Sequence, residues 1–228
     1  MTDRDPTSST PGDVVHTTVK FALGALTGDP LTVASSLFEL VRAPLERRKD
    51  TWMRDVDSRL AELEAKKPGL IDDAVRDERF ITLLYRAAGA AIRTHESAKR
   101  EALRNAVLNA AVGTAPDEDL QHMFLSFVDY LTATHLRLLE LLSGPKQYFS
   151  LHGLHWSSQW NNCMTNYDDL ISKGIPQLLK RKAIADVMWA DLDRRGLVVT
   201  RSIITKRFED DHLTDLGHLF LAFITEPQ

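Results

Sequence analysis

Cysteine, long apolar runs and net charge are all scarce in this chain, and each shortage excludes something. Of 228 residues only Cys163 is a cysteine. No intrachain disulfide can form, and a lone thiol outside any disulfide framework fits a reducing compartment. No uninterrupted apolar run reaches the ~18 residues that a spanning helix needs. The nearest approach, residues 14–45, is interrupted by Lys20, Asp29, Glu39 and Arg42 and broken by Gly24, Gly28 and Pro30. The formal net charge is −4, which supplies no general pull on nucleic acid. Residues 1–130 hold 17 Lys/Arg against 21 Asp/Glu, and residues 131–228 hold 11 of each. DNA-binding domains carry a basic excess, and the second half has none. Residues 1–12 are polar with Pro6 and Pro11. They lack a signal peptide's apolar run, so a disordered tail and a cytoplasmic location are expected.

Catalytic grammar is missing as well. There is no phosphate loop, no dinucleotide-binding glycine fingerprint and no G-x-S-x-G. Cys163 sits in Asn161-Asn162-Cys163 with no base beside it, whereas a nucleophile needs one. His152, His155, Cys163 and Asp168 are ligand types for zinc. With one cysteine and no H-E-x-x-H, the two histidines read better as part of an aromatic subcluster with Trp156 and Trp160. Glu209 to His212 has E-x-x-H spacing, but it falls in a polar stretch and reads as a solvated loop. The chain is therefore expected to be no enzyme, with no metal and no cofactor.

What is present is helical spacing. Hydrophobic residues make up 43% and charged residues 26%, enough for a packed core. Val14, Val15, Val19, Leu23 and Leu26 recur at helical intervals up to Gly28. Asp29-Pro30 then opens a helix expected to run to about Lys66, with a kink or break at Pro44. Its later stripe is Leu45, Trp52, Val56, Leu60 and Leu63. Asp77 caps a second long helix over 78–112, whose alanines (Ala87, Ala88, Ala90, Ala91) allow close approach of a neighbour. Shorter helices follow over 117–130 and, capped by Thr132 or Thr134, over 134–142. Residues 146–175 are rich in aromatics and read as short helices and loops. A helix over 176–195 ends at Gly196, the run 197–200 reads as a strand, residues 206–211 as a loop, and 212–213 as a second strand. Thr214 caps a last helix. That order is the order of a winged helix.

The expected fold is thus mainly α: a helical bundle or long helical hairpin over 13–130, then a small winged-helix-like (α+β) tail over 131–228 with an aromatic-rich insertion at 146–175. Two charge patterns stand out. Asp50, Asp57 and Glu64 recur every seven residues, as do Arg79, Arg86 and Arg93. Antiparallel pairing of the two helices would place Glu64–Arg79, Asp57–Arg86 and Asp50–Arg93 in one register, which is how flanking charges fix coiled-coil orientation. In the tail, Lys180, Arg181, Lys182, Arg201, Lys206 and Arg207 would meet phosphates if the winged helix read DNA, or a protein partner if it docked one. Against DNA, Asp186, Asp191 and Asp193 share the helix over 176–195.

Four segments carry a resemblance: Leu103-Arg104-Asn105-Ala106-Val107-Leu108-Asn109-Ala110, Leu131-Thr132-Ala133-Thr134-His135-Leu136-Arg137-Leu138-Leu139, Leu192-Asp193-Arg194-Arg195-Gly196-Leu197, and Leu213-Thr214-Asp215-Leu216-Gly217. Over roughly residues 70–225 their order resembles the Abi-alpha family of bacterial abortive-infection proteins. The resemblance implies a helical, cytoplasmic or membrane-associated phage-defence component, and it transfers no catalytic residue. The leading expectation is a non-enzymatic protein-interaction module that self-associates into a homo-oligomer. The alternatives are a DNA-binding regulator using the tail and a membrane-associated effector using residues 14–45.

Overall fold

The computed structural model describes residues 30–160, 167–199 and 207–227, with side chains from residue 41 onward. The described elements are helices α1 (Pro30–Lys66), α2 (Leu70–Arg76), α3 (Glu78–Arg93), α4 (Ser97–Val112), α5 (Glu118–Tyr130), α6 (Ala133–Ser143), α7 (Pro145–Leu151), α8 (Tyr167–Gly174), α9 (Lys182–Arg194) and α10 (Asp215–Ile224). Two 3-10 turns, Ser158–Trp160 and Pro176–Leu178, join them. The protein is mainly helical.

Sequence and structure agree at most boundaries for identifiable reasons. Asp77 accepts from the Arg79 amide at 2.9 Å and opens α3. Asp117 does the same for α5 from the Leu120 amide at 3.0 Å. Thr132 and His135 form a reciprocal capping box at the start of α6. Thr214 accepts from the Gly217 amide at 3.0 Å. Gly69 and Gly113 take positive φ where chains turn out of or into helices.

Three expectations are corrected. First, α1 runs unbroken through Pro44. Pro44 is exposed, so the carbonyl that loses its amide partner can be hydrated. Second, the long helix over 78–112 is two helices broken at Thr94–Glu96. Side chains take the carbonyls there: Arg48 donates to Ile92 O at 2.8 Å and Arg100 to His95 O at 3.0 Å. The Thr94 hydroxyl meanwhile accepts from the Glu96 amide at 3.2 Å. Third, the expected strands reduce to a single antiparallel bridge between Val198 and Leu213. No longer ladder exists among the described residues. Residues 200–206, the rest of the expected strand and wing, lie outside them.

Helix α4 is the axis of the fold. From Ala102 to Asn109 every residue is buried, and α1, α2, α3, α5, α6 and α10 all contact it. The alanines of α3 do what their size allows: Ala87, Ala90 and Ala91 are 0–5% exposed, and α3 lies along α4. The buried apolar residues from Trp52 to Ile224 form one cluster, so the tail helices share the core of the N-terminal helices.

Three polar residues buried in this core, Lys99, Asn105 and Asn109, close helix ends. Lys99 donates to Asp129 O at 2.7 Å, at the end of α5. Asn105 donates to Ile224 O at 3.0 Å. Asn109 shares its amide hydrogens among carbonyls that include Phe223 O at 3.0 Å and Thr225 O at 2.7 Å. The last carbonyls of a helix have no partner within it, and these side chains supply one across the core. Gly217 allows the matching close approach on α10: a Cβ there would stand 2.0 Å from Leu197 O.

Candidate interaction surface

The two halves of α1 differ. In the second half Trp52 and Val56 are each 3% exposed, and Trp52 Nε1 donates to Arg100 O at 2.9 Å. In the first half no residue from 41 to 51 is buried. Val41 is 41% and Leu45 38% exposed. The handover falls at Arg48, whose guanidinium reaches Ile92 O, one residue before α3 ends. Because α1 and α3 run antiparallel, α1 beyond this point outruns its neighbour. Val41, Leu45, Trp52 and Val56 are four or seven residues apart and lie on one helical stripe. The stripe is covered at one end and bare at the other. The bare part is flanked by Arg42, Arg48 and Lys49, three or four residues from Leu45 and on its face, a local excess of positive charge in a chain of net charge −4. Arg42 is paired with Glu46 at 2.8 Å, which raises its pKa.

A cleft of about 480 Å³ opens between α4, α6, α7 and the end of α10. Ala98, Ala102 and Leu221 are among its apolar lining residues, and Leu151, 68% exposed, also lines it. Three carboxylates line it, Glu101, Glu140 and Glu226, against one cation, Arg137. Each carboxylate has a loose partner: Arg104 at 3.7 Å, His152 at 3.5 Å and Arg59 at 3.6 Å respectively. The Tyr148 hydroxyl at the back is held above its usual pKa by burial, with Arg137 pulling the other way.

The expected interhelix register is not formed. The antiparallel pairing exists, but Glu64 accepts from the Gly69 and Ile71 amides at 2.6 and 2.8 Å and so closes the start of α2. Those backbone donors, Ile71 first, lower its pKa. Arg79 pairs with Asp77 at 2.8 Å and Arg93 with Asp129 at 3.0 Å. None of the pairs Glu64–Arg79, Asp57–Arg86 and Asp50–Arg93 is an ion pair; nearer partners took Glu64, Arg79 and Arg93.

The basic tail residues are dispersed. Lys180 and Arg181 are exposed in the turn before α9. Lys182 is paired with Asp168. Arg207 is exposed, and its amide donates to Asp210 at 2.7 Å. Arg201 and Lys206 lie outside the described residues, as does Cys163. On α9, Asp191 is buried against His135 at 3.6 Å. His135 Nδ1 accepts from the Thr132 amide at 3.2 Å, and Nε2 faces Asp191 beyond hydrogen-bond distance. Burial lowers the His135 pKa, and Asp191 opposes that.

In the aromatic segment, Phe149, Trp156 and Trp160 meet at centroid distances of 5.4–5.7 Å, and Phe208 of the tail joins at 5.3 Å from Trp160. The histidines stay out: His152 lies 4.1 Å from Tyr148 and His155 is exposed. The E-x-x-H stretch is corrected too, because His212 is 0% exposed. Its amide donates to Leu142 O at 2.8 Å and its ring lies 5.3 Å from Tyr167. Among the described residues no three His, Cys, Asp or Glu gather to hold a metal, and no helix is long and apolar enough to cross a membrane.

Asn105, Asn109, Lys99 and the cleft carboxylates carry no sequence motif. For Asn105, Asn109 and Lys99 the one available signal is polarity at positions where helix spacing calls for an apolar residue; the cleft carboxylates are ordinary acids in sequence. Compared with protein families, with curated proteins and with solved structures, the chain matches none.

Proposed function

We propose that this protein is a non-enzymatic helical interaction module, acting in bacterial phage defence, whose contact element is the first half of α1. The observation that carries the reading is the apolar stripe that is covered at Trp52 and Val56 and bare at Val41 and Leu45. A bare continuation of a packing stripe is a surface that helix-on-helix burial would cover. The phage-defence role rests on the resemblance of residues 70–225 to Abi-alpha proteins. The winged-helix reading of the tail belongs to the same proposal: the order α9, bridge, α10 fits it.

A phage challenge tests the reading. Bacteria expressing the full chain are plated with a panel of phages, beside bacteria expressing Leu45→Asp at equal protein level. Restriction of at least one phage that Leu45→Asp abolishes supports it. Absence of restriction removes the defence role, and undiminished protection by Leu45→Asp removes the contact role of α1.

A further inference from the structure

The bare stripe and the cleft are complementary. Exposed Leu45 and Val41 are flanked by Arg42, Arg48 and Lys49, which stand three or four residues from Leu45 and share its face, while Arg47, Glu46 and Asp50 project from the other sides of the helix. The cleft presents Glu101, Glu140 and Glu226 against Arg137, with Leu151 exposed beside them. One surface is apolar with positive flanks; the other is apolar with negative flanks. We infer that the partner of the first half of α1 is a second copy of this chain, with residues 41–51 of each protomer seated in the cleft of the other. This rests on the interaction reading above and names its partner.

Two facts about placement support it. The arm cannot enter its own cleft, because α1 is one continuous helix through residue 66 and Arg48 and Trp52 fasten it along α3 and α4. The arm leaves the bundle next to where the cleft begins: Trp52 is bonded to Arg100 O, and Glu101 is the next residue of α4. Two copies can therefore exchange arms reciprocally about a two-fold axis, which closes the assembly at two. The charges on both sides have room to re-pair. Lys49 enters no ion pair among the described residues, and the cleft carboxylates hold theirs at 3.5–3.7 Å. Opposite potentials of this kind select partner and register more than they add raw affinity, and salt screens them.

Charge exchange tests the inference with the full chain. Sedimentation at tens of micromolar and low salt is expected to show a dimer that dissociates as salt rises. The arm variant Arg42→Glu with Lys49→Glu, and the cleft variant Glu101→Lys with Glu140→Lys, are each expected to weaken dimerisation by about tenfold or more. The milder Glu101→Gln with Glu140→Gln covers the case in which the lysines disturb folding, and helical circular dichroism reports that. Mixing the arm and cleft variants restores dimers, because each mixture contains one native and one doubly reversed contact.

A monomeric wild-type chain overturns the inference, as do variants that dimerise like wild type or a mixture that stays monomeric. A monomer that instead floats with phosphatidylserine vesicles assigns the arm to an anionic membrane. A dimer whose mass is unaffected by either variant but lost on deleting residues 1–29 assigns the contact to that segment. A monomeric chain whose phage restriction still depends on Leu45 leaves the interaction reading standing with another partner, so the two failures can be told apart.

Discussion

From Trp52 to Lys66, α1 lies against α3 and α4 and buries Trp52 and Val56, whereas from residue 41 to residue 51 the same helix buries nothing. The two parts share a stripe, a helical conformation and a similar density of charge. What separates them is only that α3 ends at Arg93. Helical spacing specifies that a face is apolar, and the length of the neighbouring helix specifies whether that face is covered. An apolar stripe that outlasts its intrachain partner is then the place to look for an external one.

The largest expected effect tests that contrast directly. Trp52→Ala should cost about 3–5 kcal/mol, the usual loss for emptying a large buried site. Leu45→Ala should fall within about 0.5 kcal/mol in the monomer. Urea unfolding of both at low protein concentration checks it, and a large loss at Leu45 would mean that something within the chain already covers the arm.

A second comparison sets the tail against the bundle it packs on. Gly217→Ala drives a Cβ into the Leu197 carbonyl, a backbone atom that cannot swing aside. A loss of at least the ~1–3 kcal/mol typical of overpacking is expected, measured by the same unfolding. Little change would show that α10 can slide, and that the Asn105 and Asn109 bonds to its carbonyls are adjustable.

His135 gives a pH dependence. Its folded pKa lies below the ordinary 6.5 because burial disfavours the imidazolium, so the unfolded chain binds the extra proton. Its contribution is complete above pH ~6.5 and is lost as pH falls toward the folded value. His135→Gln retains a capping-box side chain at that position and removes the titration. Unfolding free energy measured from about pH 7 to 5 should therefore fall less steeply in the variant, by up to about 1.4 kcal/mol per pH unit. Equal slopes would place the acid sensitivity elsewhere.

The smallest effect belongs to the charge pattern on α1 and α3. Asp57→Asn and Arg86→Gln, singly and together, should each stay within about 0.5 kcal/mol and show no coupling in a double-mutant cycle. Measurable coupling would revive the register that Glu64, Arg79 and Arg93 abandoned.

Local chemistry was readable in the sequence, because it acts within a few residues. Asp77, Asp117, Thr132 and Thr214 cap helices by bonding amides two or three positions on, so their role follows from type and place. The same holds for the small residues of α3 and for the apolar spacing that sets the helical class. The break at Thr94–Glu96 was not readable, because its causes are Arg48 and Arg100, one of them more than forty residues away. The roles of Lys99, Asn105 and Asn109 were hidden for the same reason: each closes the end of a helix that only folding brings near. Charge pairing went wrong in the opposite direction. Heptad spacing offered three long-range ion pairs, and the folded chain gave Glu64 to the start of α2, Arg79 to Asp77 and Arg93 to Asp129, because the nearest partner prevails. Most helices and their caps follow from residue type and spacing within a few positions. Which stripe stays bare and which carboxylates gather around a cleft are set by long-range packing, since both depend on where neighbouring helices end.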